Sequence, residues 1–465
     1  MQTIIRIIIA SVLFFTFKLN GQNNYNFNTK LTEYLSVQNE RINFNGVVLV
    51  ANSKEILYQR AIGFSSLENK TPLTVGSKFK IASISKSFTG MLVALAVKEG
   101  KLKLEDKIKQ YFNECTLREK WDEITIQHLI SHTSGIPHWK GYKDYWTIKS
   151  RLPLNTKQVL TDIFKMDLVF IPGKKVNYSS PAYFLLAVIL QKVYGDTYDG
   201  ILNKKIFKPL KLDNTGAYND LSIIPKMTSG YHLLPNDSLI VAPYRSSSAL
   251  KGSGSLYASA KDLLKWNRSL MNDSIWNSEL KQSLFNPITD HLMPHNNKAQ
   301  YGMGWYIHNK KNDRLKSYQA SGGTFGYSSI SVVYPERKLT LIVLSNISFL
   351  PMHSIWSDME KIILEKPFKL PTIINSSLIS IKSLEKFIGT YRASNNMQLK
   401  ILEHQGKLFA KLGSKPPFRI YTESHSVFFG KKVGVRFTFN VLSDNKTVTG
   451  LKTEGKGKEF KFKKL

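Results

Sequence analysis

Ser83-Ile84-Ser85-Lys86 sets a hydroxyl and an amine three residues apart, which on a helix is one turn and one face. At a helix start the hydroxyl faces the positive end of the macrodipole, which favours a developing alkoxide. A lysine on a buried helix loses hydration and its pKa falls, so the amine can take the serine proton or orient it. The pair is then an activated nucleophile that needs no histidine. Spacing alone does not select it, because Ser-x-x-Lys also begins at Ser77, Ser248, Ser278, Ser383 and Ser443. Only Ser83 opens a long apolar stretch, Ile84 to Lys98. There Phe88, Met91, Leu92, Val93, Leu95 and Val97 leave no polar face, and Gly100 marks a helix stop. The bland reading of Ser83 is a helix N-cap, and a cap and a nucleophile are compatible.

The elements that must position this pair follow from periodicity. Residues 24–43 read as a polar helix, and Val47 to Val50 as a short apolar strand. Asn52-Ser53-Lys54 then turns the chain into a return strand from Ile56. Ile330 to Tyr334 and Leu339 to Leu344 form a second hairpin across Pro335 to Lys338, followed by a helix from His353 to Leu364. Strands near both ends with helices between predict one α+β domain whose termini share a sheet. Lys366-Pro367 to Leu370-Pro371 is a linker signal. Beyond it, alternating segments such as Leu399-Lys400-Ile401 and Val435 to Phe439 predict a small antiparallel barrel or sandwich.

Composition bounds the setting. The chain has 465 residues and a formal net charge of +31, with 42% hydrophobic residues, enough for packed cores. So basic a protein is drawn to anionic surfaces. Residues 366–465 hold 20 Lys and Arg against 6 Asp and Glu, an excess of 14 positive charges. Two readings of that excess stay open: a solvated strand face whose lysines protect edges, and a face that binds an anionic cell-envelope polymer. No zinc-finger, RNP or zipper motif is present, so no nucleic-acid partner is expected. Arg6 and the apolar run Ile7 to Phe17 read as a secretory signal over residues 1–22, too short to span a bilayer comfortably. Export to the periplasm or the medium follows as the expectation. Cys115 is the single cysteine, so no intramolecular disulfide forms, and it reads as a packed residue.

Ile81 to Gly90 resembles the first motif of class C β-lactamase-type serine hydrolases, the β-lactamase and penicillin-binding-protein-like family that includes esterases and D-aminopeptidases. Thr125 to Pro137, Gly252 to Tyr257 with Asp262-Leu263, and Tyr301-Gly302-Met303-Gly304-Trp305 resemble further family segments. Pro172-Gly173 with Tyr178-Ser179-Ser180 resembles the second catalytic motif. The likeness covers residues 24–365 in family order. It implies an α+β fold, a β-lactamase/transpeptidase-like antiparallel sheet flanked by helices. The resulting domains are 1–22 signal, 24–365 hydrolase, 366–381 linker and 382–465 basic all-β domain.

The resemblance implies that Ser83 attacks a carbonyl and becomes acylated, while Lys86 and Tyr178 share the proton traffic. A phenol between cations is drawn toward phenolate. The amides of Ser83 and Gly323 would form the oxyanion hole. Ser180, Ala320, Ser321 and Gly322 would meet the substrate. Two positions depart from the family pattern: Ser180 stands where Asn is usual, and Ala320 where Lys or His is usual. Ser180 precedes Pro181 and so also reads as a helix N-cap. A cation at 320 would hold a substrate carboxylate, so its loss favours ester or amide hydrolysis over penicillin hydrolysis, unless Lys316 compensates.

His128, His132 and His138 do not repeat a zinc-protease spacing, and His132 reads as structural. No metal or organic cofactor is expected. Trp139, Tyr142, Tyr145 and Trp146 read either as a substrate-facing loop or as packing. The function expected is an exported serine hydrolase acting on a small ester, amide or peptide. Its rivals are a D-amino-acid peptidase or peptidoglycan carboxypeptidase on the same fold, and a non-catalytic envelope-binding protein on a degenerate one.

Overall fold

Val47, Leu49 and Ala51 alternate along strand β1 (Gly46–Asn52) and point into one apolar core. The return strand is β2 (Ile56–Ile62). Far along the chain, β3 (Gln300–Tyr301), β4 (Tyr306–His308), β5 (Ser317–Thr324), β6 (Tyr327–Tyr334) and β7 (Leu339–Ser345) complete a seven-stranded antiparallel sheet in the order β3-β4-β5-β6-β7-β1-β2. Leu49 of β1 lies opposite Ile342 of β7, and Val47 opposite Leu344, so both ends of this region meet in mid-sheet as expected. A short 3-10 turn, Pro335–Arg337, joins β6 to β7.

The computed structural model describes residues 27–113, 119–142, 144–273, 275–293, 299–309, 315–371, 381–431, 434–455 and 458–465. The expected signal segment, Cys115 and most of the expected linker lie outside the described residues. The chain divides into two compact units. Residues 45–231 with 241–352 form one. The other holds the chain up to Phe44, residues 232–240 and residues 353–465.

In the first unit the buried helix is α1 (Ser85–Lys98). Every residue from Ser85 to Ala96 is buried, as the absence of a polar face predicted. A 3-10 turn, Ala82–Ile84, leads into it. Gly100 takes a φ of +67° and ends it: the Gly100 N–H donates to Val97 and the Lys101 N–H to Ala96, closing the orphan carbonyls. Helix α2 (Ser180–Tyr194) packs beside α1 in the same core. Its N-cap is Ser179, whose hydroxyl accepts from the Ala182 N–H at 3.2 Å. The expected cap, Ser180, is instead the first helical residue. Two adjacent serines competed, and the one whose oxygen reaches the free N–H became the cap.

In the second unit residues 27–42 are helical, and a helix spans Met352–Ile363. Tyr34 donates to Asp358 at 3.2 Å. Nine strands follow: β8 (Gly389–Ala393), β9 (Gln398–His404), β10 (Lys407–Leu412), β11 (Phe418–Arg419), β12 (Tyr421–Thr422), β13 (Val427–Gly430), β14 (Val435–Val441), β15 (Val448–Gly455) and β16 (Lys458–Lys464). Their order is β11-β10-β9-β8-β16-β15-β14-β13-β12. The two edge strands are separated in sequence only by Ile420, so the sheet curls into a nearly closed barrel and leaves little open edge. Phe387, Tyr391, Ile401, Phe428, Phe439 and Leu451 fill it.

Candidate active site

Ala82 precedes the serine with a φ of +46°, a left-handed turn that an alanine adopts only when its surroundings impose it. This turn presents Ser83 to a cavity of about 160 Å³. Ser83, His138, Trp146, Tyr178, Ser180, Arg245, Ser253 and Gly323 are among its walls.

Lys86 follows one helical turn later and is 1% exposed. Its Nζ lies 3.1 Å from Ser83 Oγ, 3.3 Å from Ser180 Oγ and 2.7 Å from the Ser253 carbonyl oxygen. Burial, and then the nearby positive charge of Arg245, hold its pKa well below the ordinary lysine value. A neutral amine has two hydrogens and one lone pair. The Ser253 carbonyl can only accept and Ser180 can accept, so the lone pair is left for the Ser83 hydroxyl. The strip that supplies Ser253 is tied to α1 elsewhere as well. Thr89 donates to the Gly252 carbonyl at 2.6 Å, and the Leu256 N–H donates to Ser85 Oγ at 3.1 Å.

Tyr178 reaches the same point from the segment before α2. Lys86 Nζ is 4.8 Å from its ring centre, and Tyr178 and Ser83 line the same cavity. The expectation of a phenolate is corrected. Burial pushes this phenol up, and its interaction with the neighbouring Ser83 offsets only part of that.

His132 positions Tyr178 from behind. Its carbonyl accepts from the Asn177 N–H at 2.9 Å and its Nδ1 from the Ser179 N–H at 3.1 Å, so both neighbours of Tyr178 are held. Its ring lies 4.4 Å from that of Tyr178. Burial, and then Lys86, hold its pKa well below the usual histidine value, so it acts as a neutral acceptor. His138 repeats the device: its Nδ1 accepts from the Ser180 N–H at 3.2 Å. His128 Nδ1 accepts from the Thr125 N–H in a capping box. His138 also lines the cavity, which its spacing did not signal.

Strand β5 brings the Gly-rich segment to the serine. A Cβ on Gly322 would stand 2.2 Å from the Ile81 carbonyl oxygen and 2.9 Å from the Ser83 nitrogen, so glycine alone lets the strand lie against the turn. Ser329 donates to the Ile81 carbonyl at 2.9 Å and holds this contact from β6. Gly323 has open space at the Cβ position and lines the cavity, beside Ser83.

The four residues expected against substrate separate here. Ser180 lines the cavity, whereas Ala320, Ser321 and Gly322 are not among its walls. Ala320 is 2% exposed and belongs to the hydrophobic core, and Gly322 is spent on seating the Ser83 turn. Lys316 does not replace the cation missing at 320: it is not among the cavity walls, and its Nζ lies 5.8 Å from the Tyr318 ring centre. Among the described residues, the lysine or arginine on the cavity wall is Arg245, from Pro243-Tyr244-Arg245-Ser246. The only signal for it was a lone arginine in a serine-rich loop ahead of the Gly252 motif. The aromatic loop also divides. Trp139 stacks on Tyr145 at 4.4 Å and both are buried, while Trp146 faces the cavity.

Comparisons with known proteins bear on the family and the fold. The Beta-lactamase family model matches residues 33–355, and a model described as a domain of unknown function (DUF3471) matches residues 377–465. The chain is 26% identical over 425 residues to Penicillin-binding protein 4* of Bacillus subtilis (strain 168), covering 87% of this chain and 92% of that protein. Among solved structures, the octameric penicillin-binding protein homologue from Pyrococcus abyssi matches with a TM-score of 0.68 at 22% identity, over 93% of this chain and 99% of that one. The D-amino acid amidase from Ochrobactrum anthropi SV3 matches with a TM-score of 0.61 at 19% identity, over 71% of this chain and 96% of that one.

Proposed function

The chain belongs to the Beta-lactamase family, and on that premise we propose that it is an exported serine hydrolase cleaving a small ester or amide through an acyl-enzyme on Ser83. The observation that carries this is the buried Lys86 amine 3.1 Å from Ser83 Oγ, with its other neighbours able to take both of its hydrogens. Lys86 removes the Ser83 proton as the oxygen attacks the carbonyl carbon. The oxyanion forms against the Ser83 and Gly323 amides. Tyr178, protonated and beside Ser83, passes a proton to the departing oxygen or nitrogen and is reprotonated from Lys86. Water then enters and gives its proton to the same pair as its oxygen bonds to the acyl carbon; the bond to Ser83 Oγ breaks, that oxygen takes the proton back, and the acid leaves.

A fluorophosphonate probe followed by mass mapping tests the reading. Labelling at Ser83 that disappears in Ser83→Ala is expected. No labelling at any pH from mildly acidic to alkaline would instead support the non-catalytic envelope-binding protein. A second reading, a D-amino-acid peptidase or amidase, is favoured by the likeness to a penicillin-binding protein and to a D-amino acid amidase. Turnover of D-aminoacyl amides faster than of matched simple esters would select it. The outward cations of the barrel suit an anionic envelope polymer. Salt-sensitive retention on a polyglutamate column tests that role.

A further inference from the structure

The cavity at Ser83 adjoins a chamber of about 340 Å³, and the two share Arg245, Leu250, Gly254 and Thr324 as walls. Arg245 therefore stands at the junction. Its Nη1 donates to Thr324 Oγ1 and its Nη2 to the Tyr145 hydroxyl, each at 3.2 Å. Both acceptors are neutral. Its Nε is buried and meets no acceptor. The guanidinium carbon lies 4.8 Å from the Trp146 ring centre and 5.6 Å from that of Phe325. Rings and hydroxyls thus fix the group, and among the described residues no carboxylate pairs with it.

That arrangement is electrostatically incomplete. Lys80 lines the adjoining chamber, with its Nζ 3.6 Å from the Tyr218 ring centre. Two basic side chains, Arg245 and Lys80, thus line the joined space, and Asp220 lies near Lys80. A rigid guanidinium with free hydrogen-bonding capacity is completed by a planar carboxylate, which it grips through two parallel N–H bonds.

We propose that Arg245 binds a carboxylate carried by the substrate away from its scissile bond, with the adjoining chamber housing that end of the molecule. The assignment rests on the hydrolase reading of Ser83 and narrows its substrates to acidic esters or amides. The charge missing at Ala320 is thereby supplied from a different segment of the chain.

The test compares the mono-4-nitrophenyl ester of succinic acid with its methyl-capped, neutral counterpart. The wild-type protein should favour the acid in kcat/KM by roughly ten- to a hundredfold, chiefly through KM. Arg245→Gln should bring that ratio close to one, and Arg245→Lys should keep part of it. Equal turnover of both esters by the wild type overturns the proposal and leaves the hydrolase reading standing. The wild-type ratio decides even where a variant does not fold. A second arm needs no turnover: Ser83→Ala is titrated calorimetrically with monomethyl succinate and with dimethyl succinate. Selective binding of the acid, lost on adding Arg245→Gln, supports the site. Binding of both alike, or of neither, refutes it. Inactivity toward both esters together with selective acid binding would sink the hydrolase reading and keep the anion site.

Discussion

The candidate site and the C-terminal barrel both carry basic side chains, and they treat the charge in opposite ways. At the site Lys86 is almost wholly buried, and Arg245 meets only neutral oxygens and rings. On the barrel, Lys400 lies opposite Lys411, Lys452 opposite Lys461, and Arg392 opposite Lys463. Like charges directly across a strand pair repel, but water and salt screen them when they are exposed. Desolvation, rather than charge count, therefore separates the two regions: burial holds the Lys86 amine well below the ordinary lysine range, which suits it to the role of base in the proposed reaction.

The contrast can be broken or sharpened by substitution. The largest effect is expected from Lys86→Met, which removes the base and keeps the volume. The rate of ester cleavage should fall by about 10²- to 10⁴-fold. The melting temperature at neutral pH should hold or rise, because the variant no longer buries an amine. A drop in melting temperature as large as that of an ordinary core truncation would argue that Lys86 is a structural cation instead.

Next in size is a pair of glycine replacements. Gly322→Ala puts a methyl group 2.2 Å from the Ile81 carbonyl, so it should destabilise by about 1–3 kcal/mol and displace the Ser83 turn. Gly323→Ala points into open space and should leave stability nearly unchanged. Urea denaturation of both variants measures the difference, and equal midpoints would contradict the close approach.

The pH dependence follows from the depressed lysine. Lys86 accepts a proton only when neutral, so kcat/KM should have an acid limb that rises with pH and levels off well below the ordinary lysine range. Its partner Tyr178 is pushed up by burial and stays protonated across this window. The unfolded chain binds the Lys86 proton more readily than the folded one. This group therefore makes stability increase with pH from its depressed folded value toward 10.5, its unfolded value. Lys86→Met should remove both slopes. The smallest effect belongs to the barrel. Lys400→Glu turns a like pair with Lys411 into an opposite pair and should stabilise by about 0.2–1 kcal/mol. Denaturation at low and at high salt should show that gain shrinking as salt rises.

Much of the site was legible because its first parts are local. Ser83 and Lys86 are one turn apart, and the apolar run behind them announced burial on every side. The two hairpins of the sheet were visible as apolar runs and part of the barrel as short alternating strands, while the strands at Gln300–Tyr301, Tyr306–His308 and Val448–Gly455 were not read. What escaped notice lacked a period. Arg245 sits in an irregular loop, and nothing in its neighbours says that Thr324 and Tyr145 will grip it. Trp139 and Trp146 belong to one aromatic stretch, yet one is core and the other faces the cavity. Ser179 and Ser180 differ by one position, and only the geometry of Ala182 chose the cap.

The sequence by itself determined the nucleophile–amine pair, the buried helix that carries it and the alternating strands, since each depends on residues a few positions apart. What surrounds the Lys86 amine was decided only by tertiary structure. Ser180, 94 residues away, and Ser253, 167 residues away, close around the amine and replace its water. The cation in the cavity and the residues that truly line it were settled in the same way. Desolvation is a property of everything packed around a group, and those surroundings come from segments whose meeting no local pattern encodes.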